Sequence, residues 1–173
     1  MRERFKILLQ TAPAVIGLDQ LSKALVAARI TEGGGIPLIP GFFTLVHTRN
    51  PGAAFGSFAR LPDAVRLPFF YVTSGLALAV IFFYLIRLKD RRKGVFFSLS
   101  LVIGGALGNI LDRIFRGEVV DFLSFHWYDR WADWTAGPFH ARFKWEWPAF
   151  NLADAAITVG VVLLMILMTK PEP

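Results

Sequence analysis

Two aspartates carry the chemistry open to this chain: Asp121 and Asp154, each where an apolar run meets a segment dense in aromatics. A carboxylate beside hydrocarbon is costly to keep, so such a residue marks a functional site by default. Two of them suffice to split a bond with water and no cofactor. Neighbouring carboxylates cannot both ionise cheaply, so one holds a proton while the other stays charged. The charged member draws a proton from water; the neutral member protonates or polarises a scissile carbonyl, with no covalent intermediate. Such a dyad titrates as a unit, which leaves open which aspartate is acid and which is base.

Other hydrolytic chemistries fit the residues less well. The three histidines, His47, His126 and His140, lack the His-Glu-x-x-His spacing of a metalloprotease helix and read as surface or loop residues; no metal is expected. Ser22 and Lys23 are adjacent, and adjacent helical residues do not face each other, so they cannot share a proton directly. Ser57 follows Gly56 but lacks the G-x-S-x-G surroundings of a nucleophile elbow.

The elements that must position the two acids are membrane spans. Of the 173 residues, 54% are hydrophobic and 18% charged, and mean hydropathy is +0.49. That balance describes an integral membrane protein, read here as one domain over residues 1–173. Four stretches reach the roughly 20 residues that a crossing takes: Ile7–Ala28, Leu67–Leu88, Val95–Phe115 and Phe150–Met168. Asp19 and Lys23 interrupt the first, which argues for a retained span over a cleaved leader. The net charge is +6. The basic residues Arg2, Arg4 and Lys6, and the run from Lys89 to Lys93, abut apolar spans. They read as cytoplasmic anchors and not as a nucleic-acid surface. Both termini then lie inside, and segments 29–66 and 116–149 lie outside. With no cysteine, disulfides and thiol chemistry are excluded.

In the first outer segment, Gly33-Gly34-Gly35, Pro37 and Pro40 predict a turn or loop, Phe42 to Arg49 a strand, and Asn50-Pro51-Gly52 a further turn, together giving a small outer sheet. The second holds all five tryptophans: Trp127, Trp131, Trp134, Trp145 and Trp147. It reads as an outer loop, either an interfacial aromatic belt or a lid that receives a lipid-bearing substrate.

Helical rise places the remaining polar residues at one depth. Asp19 and Lys23 lie about 18 and 24 Å into the first span, Asn109 and Asp112 about 21 and 26 Å into the third. Asn151 and Asp154 occupy the outer end of the fourth. Asp19 and Lys23, four apart, suit an ion pair; Asn109, Asp112 and Arg113 are expected to share a face. Gly104 and Gly108 allow another helix to approach closely. The second span carries only Thr73 and Ser74 and reads as a packing helix.

Five stretches, taken in order, resemble the bacterial lipoprotein signal peptidases (signal peptidase II): Asp19-Gln20-Leu21-Ser22-Lys23, Asn50-Pro51-Gly52-Ala53-Ala54-Phe55, Gly104 through Arg113, Val119-Val120-Asp121-Phe122, and Phe150-Asn151-Leu152-Ala153-Asp154-Ala155-Ala156-Ile157. The resemblance implies an inner-membrane aspartyl endopeptidase without a cofactor. Its substrate would be a diacylglyceryl-modified prolipoprotein, cut just before the lipidated cysteine, and the resemblance also implies a target of the cyclic peptide globomycin. It implies Asp121 and Asp154 as the catalytic pair, and Asn50, Gly52, Asn109, Arg113 and Asn151 as substrate-positioning residues. By the same resemblance Asp19, Lys23 and Asp112 would support the site from behind. Expected partners are that substrate and membrane lipid, and the enzyme is expected as a monomer. One departure stands out: the stretch from Asp129 to Glu146 is longer than the family pattern suggests. Two other readings compete. A small proton-coupled transporter would use the intramembrane Asp and Lys as a relay, and a non-catalytic scaffold would tolerate asparagine at both aspartates.

Overall fold

A computed structural model describes residues 3–52, 61–88, 92–137 and 139–169. Among the described residues four helices form where the apolar runs predict them: α1 (Glu3–Arg29), α2 (Asp63–Arg87), α3 (Lys93–Arg116) and α4 (Leu152–Met168). The described residues also hold four strands in one antiparallel sheet, in the order β1 (Gly35–Ile39), β2 (Phe43–Asn50), β3 (Val119–Ala136), β4 (Phe139–Phe150). Ala53, Ala54, Phe55, Ser57, Lys170 and most of the basic run at 89–93 lie outside the described residues. Among the described residues two helices, α2 and α3, are long and apolar enough to cross a membrane, with mean hydropathies of 2.2 and 1.8. α4 is apolar but shorter, at 17 residues.

The helices are divided by polarity along their length. Leu85, Phe96, Leu99 and Ile103 build an apolar core toward the α2–α3 turn. The buried Asp19, Lys23, Asp112 and Asn151 occupy the other end, beneath the sheet. α3 is the central helix, packed on α1, α2 and α4. Its small residues set those distances. A Cβ on Gly104 would stand 2.8 Å from Val15 Cβ of α1, and one on Gly108 2.8 Å from Asp19 Oδ2, as the four-residue spacing predicts. Gly105 performs the same service toward α4: its Cβ would press on the Ala153 carbonyl and come 2.8 Å from Ile157 Cγ1. Backbone cannot swing aside, so Gly105→Ala forces α3 and α4 apart. A loss of about 1–3 kcal/mol is expected, read as a lower midpoint of heat unfolding in detergent; an unchanged midpoint contradicts the close contact.

The helix ends are closed by local chemistry. α3 stops at Gly117, whose φ of 77° gives the left-handed cap, with its N–H on Arg113 O at 3.2 Å. α4 begins with a capping box: the Asn151 side chain accepts from the Asp154 N–H while the Asp154 carboxylate accepts from the Asn151 N–H.

The sheet departs from expectation in two places. Residues 35–39, expected as loop, form the edge strand β1; Pro37 is tolerated because an edge strand has one side with no ladder to donate to. More consequentially, the expected outer loop or lid is a long β3–β4 hairpin. Its second strand runs Phe139-His140-Ala141-Arg142-Phe143-Lys144-Trp145-Glu146-Trp147, a strict apolar–polar alternation, which is the period of a strand with two unlike faces. Gly137, at φ 59°, makes the turn. The Trp-rich composition, which suggests an aromatic belt, masks this period.

Candidate active site

Asp121 and Asp154 come to one cleft from different elements. Asp121 sits in β3 opposite Thr48 of β2, next to an irregularity between Leu45 and Thr48 that bends the strand. Asp154 sits in the first turn of α4. The cleft, about 740 Å³, is lined by both acids, by Asn50, Asn109 and Arg113, and by apolar Val119, Trp147, Phe150 and Val159.

Three asparagines hold the two carboxylates, and each has its amide orientation settled by a group that can only donate. Gly52 N–H donates to Asn50 Oδ1 (3.0 Å), so the Asn50 amino group faces Asp121 Oδ2 (2.9 Å). The Lys23 ammonium donates to Asn109 Oδ1 (3.0 Å), so the Asn109 amino group faces Asp154 Oδ1 (2.8 Å). Asp154 N–H donates to Asn151 Oδ1 (2.9 Å), so the Asn151 amino group faces Asp121 Oδ1 (2.7 Å). An amide beside a pure donor must present oxygen to it and N–H elsewhere. Asn151 therefore touches both acids, through its side chain to Asp121 and through its cap to Asp154.

Behind this layer is a fully buried ionic cluster. Lys23 Nζ lies 2.8 Å from both Asp19 Oδ2 and Asp112 Oδ2. Asp19 also accepts from Ala153 N–H (2.9 Å) and Asp112 from Val120 N–H (3.1 Å), tying the acids to the α4 and β3 backbones next to Asp154 and Asp121. Gln20 bridges the two acids, and Arg116 closes the cluster on Asp112 and on Gln20 Oε1 at 2.8 Å. Sequence reasoning gave neither residue a role, although Arg116 is four positions after Asp112, the spacing of a helical ion pair.

Several expectations need correction. Asp112 and Arg113 do not share a face: Asp112 points back to Lys23, while Arg113 lines the cleft with its guanidinium 4.6 Å over the Phe70 ring of α2. Adjacent helical residues lie about 100° apart, and here that angle divides cluster from cleft. α2 is thus more than a packing helix. Phe70 also fills the space beside Gly52, where an added Cβ would come 2.7 Å from Phe70 Cζ. His47 is neither surface nor loop: it is 4% exposed in β2, with Nδ1 on Ile30 O at 2.8 Å. His126 pairs with Thr44 (3.0 Å), and His140 with Thr135 on an exposed strand (2.9 Å). Ser22 donates to Asp19 O of its own helix at 2.8 Å and makes no dyad with Lys23. Asp154 has a structural duty that its sequence neighbourhood also signals, since Asn-x-x-Asp at a helix start is a capping pattern.

A family model described as "Signal peptidase (SPase) II" matches residues 11–170. The chain belongs to the signal peptidase II family. Among its relatives, a "Lipoprotein signal peptidase" of Syntrophotalea carbinolica is 42% identical over 164 residues, covering 94% of this chain and 91% of that protein. One of Syntrophus aciditrophicus is 39% identical, covering 99% and 98%. A solved structure described as a bacterial membrane enzyme superposes with a TM-score of 0.75 at 27% identity, over 95% of this chain and 94% of that one. As a signal peptidase II, the protein is a peptidase of the aspartyl class. The match removes the support for a proton-coupled transporter.

Burial pushes the Asp121 carboxyl up to about 6 from its ordinary 3.8; the charge of Asp154 adds to the rise, and the Asn50 and Asn151 hydrogen bonds oppose it. A raised carboxyl pKa means that the proton is held to higher pH and lost as pH climbs through about 6. Beyond that point Asp121 faces the cleft as a charged carboxylate and no longer holds a proton to donate. In this signal peptidase II, kcat/KM is therefore expected to fall on the alkaline side from near pH 6. The same limb in kcat lies higher, because bound substrate displaces water and favours the neutral form. A flat profile through this region contradicts a shared proton.

Proposed function

We propose that this protein removes the signal peptide from a diacylglyceryl-modified prolipoprotein, cutting before the lipidated cysteine. The observation that supports this most is the convergence of Asp121 and Asp154 on one cleft, each held by oriented amide N–H groups. Water between the acids loses a proton to the charged carboxylate as its oxygen adds to the carbonyl carbon. The protonated carboxyl gives its proton to the carbonyl oxygen. Collapse of the tetrahedral adduct breaks the C–N bond, and the amine leaves with a proton returned by the dyad. Asn109, Asn151 and Asn50 keep both acids in place. Gly52 lets Phe70 pack against its backbone and holds the Asn50 amide toward Asp121, and Arg113 offers its guanidinium to a substrate carbonyl. Asp19, Lys23 and Asp112 hold α1, α3 and α4 in register behind the site.

The apolar lining beside the acids suits a substrate that brings acyl chains with it. In this reading all four helices cross the bacterial inner membrane. The N- and C-termini are cytoplasmic, the cleft lies at the outer face, and residues 1–173 act as one monomeric unit. α4, at 17 residues, falls at the short end of the lengths that cross.

The test is cleavage by the purified protein in lipid nanodiscs. A diacylglyceryl-modified precursor is expected to yield a product whose N-terminus is the lipidated cysteine, by mass spectrometry, while the unmodified precursor stays intact. Equal cleavage of both forms rejects the proposed substrate.

A further inference from the structure

The β3–β4 hairpin outgrows the rest of the sheet. β2 pairs with β3 as far as Phe125; beyond it the described pairing is between β3 and β4 alone, out to Ala136 opposite Phe139. A two-stranded hairpin is marginal in water unless one of its faces is covered. After an irregularity between His126 and Trp131 the register is regular, and it sorts the tip by polarity. One face takes the pairs Trp131–Lys144, Asp133–Arg142 and Thr135–His140; the other takes Ala132–Phe143, Trp134–Ala141 and Ala136–Phe139. Contacts on the first face agree: Arg142 Nε lies 3.5 Å from Asp133, and its guanidinium 5.0 Å over the Trp131 ring. On the second face every residue is apolar, yet Trp134 is 57% exposed. The same apolar parity runs along β4 to Trp147, which is 68% exposed and lines the mouth of the cleft.

We infer that the apolar face of this hairpin rests on the membrane surface and extends the apolar wall of the cleft along the bilayer interface. The hairpin is rooted at both ends in the helix bundle, leaving α3 at Gly117 and entering α4 at Asn151, so it starts at the level where the helices end. Its charges cancel, Arg130, Arg142 and Lys144 against Asp129, Asp133 and Glu146, which suits a neutral headgroup layer and disfavours a strongly charged partner. Tryptophan is the side chain best matched to that layer. The track from tip to Trp147 gives lipid at the interface a continuous apolar path to the two acids.

The chain has no cysteine, so single introduced thiols can be spin-labelled without background. Ala132→Cys and Ala136→Cys report the apolar face, Thr135→Cys the polar face, and Leu76→Cys the outside of α2, where Leu76 is 63% exposed. Collisional accessibility is measured in neutral-lipid nanodiscs holding one protomer. The ratio of oxygen to water-soluble nickel-chelate accessibility is expected to be several-fold higher at 132, 136 and 76 than at 135. The inference rests on the membrane placement proposed above, and the α2 label separates the two. If 76 is immersed while 132 and 136 match 135, the hairpin stands in water and the inference is overturned alone. If 76 is also in water, the placement falls with it. Labels at 132 and 136 shielded from both reagents indicate protein cover and overturn it as well.

Discussion

Asp121→Asn and Asp154→Asn are each expected to lower cleavage of a lipidated precursor by about 10²–10⁴-fold, the range over which positioned proton transfer contributes to rate. Asparagine can neither take a proton from water nor hold one for the carbonyl. The surroundings sharpen the loss. Both oxygens of Asp121 accept N–H groups whose orientations are dictated elsewhere, so a carboxamide in its place must turn one of its own donors toward another donor. The same holds at Asp154, where Asn109 and the Asn151 N–H both donate. Each variant is therefore compared with the parent for its midpoint of heat unfolding, so that lost chemistry is separated from lost structure. The double variant is expected to be no slower than the worse single one, because the pair acts as a unit. Near-parental cleavage in either single variant sinks the dyad and revives a non-catalytic reading.

Lys23→Met is expected to be the most destabilising single change in the bundle, at about 3–5 kcal/mol, the cost of removing one partner from a buried charge pair. Lys23 and both of its acids are fully buried, so no solvent screens the charges left behind. Asp112 keeps Arg116 and Asp19 keeps Gln20 and Ala153 N–H, which is why the cost does not rise further. The contrast is Glu32→Gln, which breaks the exposed Arg49–Glu32 pair (3.0 Å, with side chains 38% and 61% exposed) and is expected to cost less than about 1 kcal/mol. Heat unfolding of the three proteins in one detergent orders them. Lys23→Met also removes the shorter of two hydrogen bonds to Asn109 Oδ1, leaving Asn151 Nδ2 at 3.3 Å, so variants that survive purification are expected to lose activity through Asp154. A Lys23→Met protein as stable as Glu32→Gln contradicts the buried-cluster account.

These two effects separate what the chain says locally from what it says only when folded. Apolar length and charge placement determined the four helices, whose ends fall within a few residues of the predicted spans, because hydrophobicity and length are properties of a contiguous segment. The Asp19–Lys23 pair and the small-residue face at Gly104 and Gly108 were legible for the same reason: helical geometry relates residues three and four apart without any knowledge of the neighbours. The two acids were identifiable by their cost beside hydrocarbon, and the family resemblance in the motifs around them pointed to the same positions. Period-two alternation in residues 139–147 is equally local, but it is hidden beneath the aromatic composition.

Tertiary structure decided the rest. Lys23 meets Asp112, Gln20 meets Gly108, and Phe70 meets both Gly52 and Arg113 across gaps in the chain that no periodicity spans. Whether Arg113 faces the cleft or the cluster depends on how α3 is rotated against α1 and α4, and that rotation is set by where Gly104, Gly105 and Gly108 let the other helices approach. Most of all, Asn50 and Asn151 are oriented by donors two and three residues along the chain, whereas Asn109 of α3 is oriented by Lys23 of α1. Local chain geometry can aim an amide, but only the packed fold decides which carboxylate each amide meets.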